Sequence, residues 1–75
     1  MGIADVRNAF VDAGQDKLRC TAARLRYAPD GNNSQILEFD GHYDNGTSFS
    51  VSSGPFDPNT KPQEKAREMA RQLLK

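Results

Sequence analysis

Asp44-Asn45-Gly46 narrows the fold of this chain more than any other stretch. Asn-Gly flanked by alternating apolar residues marks a hairpin, because both residues adopt left-handed backbone conformations at low cost. The loop length follows from which side chains must share a face. A two-residue loop would pair Tyr43 with Ser48 and set Phe49 opposite His42, splitting the apolar set. A three-residue loop with Gly46 in a bulge pairs Tyr43 with Thr47, Gly41 with Phe49 and Phe39 with Val51. Leu37, Phe39, Gly41 and Tyr43 of a strand over 35–43 then lie on the same face as Phe49 and Val51. Glu38, Asp40 and His42 join Ser48, Ser50 and Ser52 on the other. A slip of one residue would turn the core side of the strand to water, so the three-residue turn is predicted.

The stretch 17–27 alternates less cleanly. Leu18, Cys20 and Ala22 alternate with Lys17, Arg19 and Thr21, and the pattern restarts as Ala23, Leu25 and Tyr27 against Arg24 and Arg26. A strand with a bulge at Ala22–Ala23 keeps all of these apolar residues on one face. Leu18, Ala22 and Leu25 also fit a helix, but Cys20 and Tyr27 fit only a period of two, so a strand is predicted. Pro29-Asp30-Gly31 supplies the turn to the next strand, proline setting the first corner and glycine the left-handed one.

A helix is predicted at each end. Val6, Ala9, Phe10 and Ala13 form an apolar stripe over 4–13, with Asp5 near the positive end of the helix dipole and Gly14 as a left-handed stop. Ala66, Met69, Ala70, Leu73 and Leu74 form a second stripe over about 61–75, with Thr60 and Gln63 spaced as a capping box. Phe56, in the proline-punctuated connection, is expected under this last helix. The sum is one α+β domain over 1–75: a three-stranded antiparallel meander with both helices on its single apolar face, in two layers.

Several function classes recede on composition. The one cysteine, Cys20, forms no internal disulfide, and with the one histidine it falls short of a zinc ligand set. The core of a 75-residue chain gains little net stability, so self-association is a natural way to add some. Ten basic and ten acidic residues cancel, which disfavours a dedicated nucleic-acid binder. No apolar run approaches a membrane span, no apolar signal segment follows Met1, and a reducing cytoplasm is the expected setting. No small-molecule ligand and no cofactor is inferred.

The chemistry-bearing residues read as follows. Cys20 and His42 are the available nucleophile and base, but alternation puts them on opposite sides of the sheet, out of reach of each other. The run from Asp40 to Gly46 resembles a calcium loop with its glycine one place late and no acid in the final ligand position. Asn32-Asn33-Ser34 and Asn45-Gly46-Thr47 are formal glycosylation sequons whose asparagines already have turn roles. Arg24, Arg26, Glu38, Asp40 and His42 form a polar sheet face that suits docking, with Ile36 as an apolar anchor at one edge and Arg24 expected close to Glu38. Lys61, Lys65, Arg67 and Arg71 on the last helix are candidate phosphate contacts. The element order resembles that of double-stranded-RNA-binding domains, which set lysines at the start of their second helix; Lys61 and Lys65 stand in that place. Pro62 and Glu64 interrupt the cluster, and the glycine-rich approach to that helix is missing, so the resemblance is one of layout. The expectation is a non-enzymatic interaction module, such as an accessory or regulatory protein of a bacterium or phage, docking by its sheet face or an edge strand on a protein partner or a second copy. Binding of double-stranded RNA or DNA by the last helix and the sheet arginines is the alternative.

Overall fold

A computed structural model describes residues 2–75. Its elements are α1 (Ile3–Ala13), β1 (Leu18–Tyr27), β2 (Gln35–Tyr43), β3 (Ser48–Ser52) and α2 (Pro62–Leu73). The strands form one open antiparallel sheet in the order β1-β2-β3. The helices pack on each other, α1 on β1 and α2 on β2, over the expected apolar face. Neither helix is long and apolar enough to cross a membrane.

The second hairpin has the predicted register. Phe39 lies opposite Val51, Gly41 opposite Phe49, and the Tyr43 N–H donates to the Thr47 carbonyl. Gly46 takes a φ of +90°, a left-handed conformation that closes the turn. The Asn45 side chain accepts the Thr47 N–H. In the first turn Gly31 is left-handed too, at +76°.

Phe10 of α1 and Phe39 of β2 stack with ring centroids 4.1 Å apart, and Phe49 tilts against both Phe10 and Tyr43. Val6, Leu18, Leu37, Ala66, Met69 and Ala70 close the core around them. Such aromatic pairs add about 0.5–1.5 kcal/mol beyond area burial. Phe56 is buried in the same cluster, as expected, and bridges to Gln35 so that the chain leaving β3 continues along β2.

Five local expectations need correction. The β1 bulge falls one residue early: the register shifts between Cys20 and Ala22, leaving Thr21 as the extra residue and turning Ala22 to the polar side opposite Asp40. Gly41 explains the position. A Cβ there would sit 1.8 Å from the Arg19 carbonyl oxygen, so only glycine admits the close backbone of the bulge. Tyr27 is on the core face by register but 70 % exposed, because the first hairpin outruns its helical cover in a molecule 39 Å long and about 20 Å across.

At the end of α1, Gly14 is right-handed and the positive φ angles belong to Gln15 and Asp16. What Gly14 provides is space, since a Cβ would lie 2.9 Å from that of Leu18. Thr60 is not the cap of α2. The helix starts at Pro62, whose fixed φ suits the first helical position, so Lys61 occupies the cap without a side-chain bond and Gln63 keeps a buried, unpaired Oε1. Ile36 is buried and offers no apolar anchor, although it lies opposite Arg26 on the polar side.

Candidate interaction surface

The polar face is assembled by strand register. Arg19, Arg24 and Arg26 of β1 line up against His42, Glu38 and Ile36 of β2, and Asp40 and His42 against Ser50 and Ser48 of β3. Arg24 does face Glu38, but the ion pair is diagonal: Arg26 Nε lies 3.3 Å from Glu38 Oε1. With both side chains this exposed, the pair is worth at most about 1 kcal/mol. The Ser50 hydroxyl donates to the Asp40 carboxylate at 2.6 Å, and the Thr21 hydroxyl to the Asp40 carbonyl. Ala22, small and turned outward, leaves a shallow dip of about 210 Å³ ringed by Arg24, Glu38, Asp40, Ser50 and Ser52. That is smaller and more polar than sites that enclose small molecules.

A second recess of about 410 Å³ lies between α1 and the start of β1, lined by Arg7, Val11, Asp16, Leu18, Arg19 and Cys20. Cys20 pairs with Gly41, and His42 therefore points to the opposite face. The thiol donates to the Ala22 carbonyl. Burial pushes its pKa up, while the Arg7 guanidinium pulls partly the other way. A thiol held in its neutral form is a poor nucleophile.

The backbone of the two free edges completes the surface. In β3 the residues that bond to β2 are the odd ones, as the Tyr43–Thr47 and Ser53–Leu37 bonds at its two ends show. Alternation turns the N–H and C=O groups of Ser48, Ser50 and Ser52 outward. No backbone bond to a loop or turn engages them among the described residues. All three side chains are exposed. On β1 the outward groups belong to Ala23, Leu25 and Tyr27, by the same logic from the Ala28–Ser34 bond. Upstream of them, the Arg7 guanidinium donates to the Cys20 carbonyl. Sequence reasoning missed Arg7, whose place on the polar side of α1 gave no sign of a partner in β1.

On α2, Lys61, Arg67 and Arg71 are exposed. Lys65 is not equally free: its ammonium lies 3.4 Å from Glu68 and 6.0 Å from the centre of the Phe56 ring. The four cations therefore do not form one stripe of equivalent phosphate contacts. Comparison of the chain with protein-family models, curated proteins and solved structures finds no match.

Proposed function

We propose that this chain is a non-enzymatic protein-interaction module that docks an extended segment along the free edge of β3, with the polar sheet face as the rim of the contact. The supporting observation is the bare stretch from Ser48 to Ser52. It has outward backbone groups and no charge, proline or bulge to block pairing. A strand added there gains main-chain hydrogen bonds, the usual basis of recognition by strand addition. Arg24, Arg26, Glu38, Asp40 and His42 give the flanking face its polarity, and a cytoplasmic setting agrees with the unpaired Cys20.

The test is a photo-crosslinking side chain at Ser48 in the native cell. A protein adduct that disappears with Ser50→Pro is expected, because proline removes an outward N–H that the ladder to β2 does not use. Adducts formed from Arg67 of α2 but not from Ser48 would overturn the reading. They would turn attention to nucleic-acid binding by Lys61, Arg67 and Arg71, which net neutrality supports less well.

A further inference from the structure

We infer that the segment seated on β3 is β3 of a second copy, paired antiparallel about a two-fold axis through Ser50. This rests on the reading of β3 as a docking edge and names its occupant. Ser50 has both backbone groups outward, so it can exchange both bonds with its own counterpart, and Ser48 with Ser52 of the other copy. The same register sets Phe49 opposite Val51 of the second copy on the helix side, giving half-buried Val51 more apolar cover. The contact is self-complementary, as a two-fold interface must be, and it makes one continuous sheet with all helices on the same side.

Charge selects this edge over the other. Pairing β3 with itself brings only serines together on the polar side. The nearest charged row, Asp40 and Glu38 of β2, would face its copy across three strand spacings, roughly 14 Å, which exceeds the screening length of about 8 Å at physiological salt. Pairing β1 with itself about Leu25 would set Arg24 directly against Arg26 of the other copy, a like-charge contact on neighbouring strands. The β3 strand has five residues, so the seam is small and the dimer belongs to the weak, concentration-dependent class.

Sedimentation of the full chain over a concentration series, with Ser50→Cys cross-linking under a mild oxidant, tests the inference. Paired Ser50 residues would have Cα atoms about 5.5 Å apart, within the disulfide range of about 4.4–6.8 Å. Expected results are a dimer at high concentration, rapid cross-linking of Ser50→Cys, and cross-linking of Ser48→Cys only when mixed with Ser52→Cys. Ser50→Pro, checked for folding by circular dichroism, should weaken dimerisation at least tenfold; if it fails to fold, Ser50→Lys replaces it. A monomer at every concentration, or Ser48→Cys cross-linking with itself as fast as with Ser52→Cys, overturns the inference. If a different protein is still trapped from Ser48 in cells, docking at β3 survives and only its occupant changes.

Discussion

Along β1 the free edge carries Arg19, Arg24 and Arg26, a bulge at Thr21 and a guanidinium from α1 on the Cys20 carbonyl; along β3 the polar side carries Ser48, Ser50 and Ser52, with no such covering group among the described residues. Charge, bulges and covering groups are the means by which edge strands avoid pairing with other chains. A sheet this small has two edges to protect, and here the protection is concentrated on the longer one. The difference teaches that an open edge cannot be explained by sheet size or strand order alone. It has to be read from the side chains and the neighbours of each edge.

The largest expected effect tests what makes the β1 edge possible. Gly41→Ala drives a Cβ into the Arg19 carbonyl and the Phe49 ring, so the bulge or the hairpin must give way. Urea denaturation should show a loss of about 3 kcal/mol or more, at the upper end of overpacking costs. A loss below about 1 kcal/mol would mean that the bulge shifts freely and the β1 edge is not fixed by this glycine. Next is Arg7→Ala, which removes the donor on the Cys20 carbonyl. Because water can replace it, the expected loss is about 0.5–1.5 kcal/mol by the same assay. Amide exchange should quicken at the start of β1 and stay unchanged in β3.

Arg24→Ser with Arg26→Ser makes the β1 edge resemble that of β3. Its stability cost is expected below about 1 kcal/mol, since the one ion pair lost is exposed. Its effect on association should be plain: with two open edges, light scattering should detect chains of molecules where the pairing inferred for the parent stops at dimers. No growth in size would show that the arginines are not what guards β1. The smallest effect concerns Cys20. Its pKa is raised in the folded state, so the fold binds more protons than the unfolded chain once pH exceeds the ordinary thiol value of about 8.5. Stability from this group is complete below that value and falls as pH rises through the folded pKa. Denaturation midpoints from pH 8 to 10 should therefore decline more in the parent than in Cys20→Ala; parallel curves would remove the linkage.

The second hairpin was legible because one turn and one alternation decide it together. A slip of one residue would have turned Phe49 and Val51 to the face opposite Phe39. The β1 bulge was less legible because Ala22 and Ala23 are equally small, so hydropathy does not choose between placing the extra residue at 21 or 22. Gly41, a glycine inside a strand pattern, was the available signal for a close backbone approach. The cap of α2 was misplaced because Pro62 at the first helical position outweighs a capping-box spacing. Of the polar face, the rows were readable from alternation, but not the diagonal choice of Arg26 by Glu38, which depends on side-chain reach. The contrast between the edges was present in the residues as arginines on one outer strand and serines on the other. Only the placement of Arg7 and the backbone directions gave it meaning.

In β3, folding and the proposed recognition fall on alternate letters of the same five-residue word. Phe49 and Val51 serve the interior, and the serines between them meet the outside. A lineage could therefore rewrite positions 48, 50 and 52 to change whom the molecule meets while leaving its architecture alone.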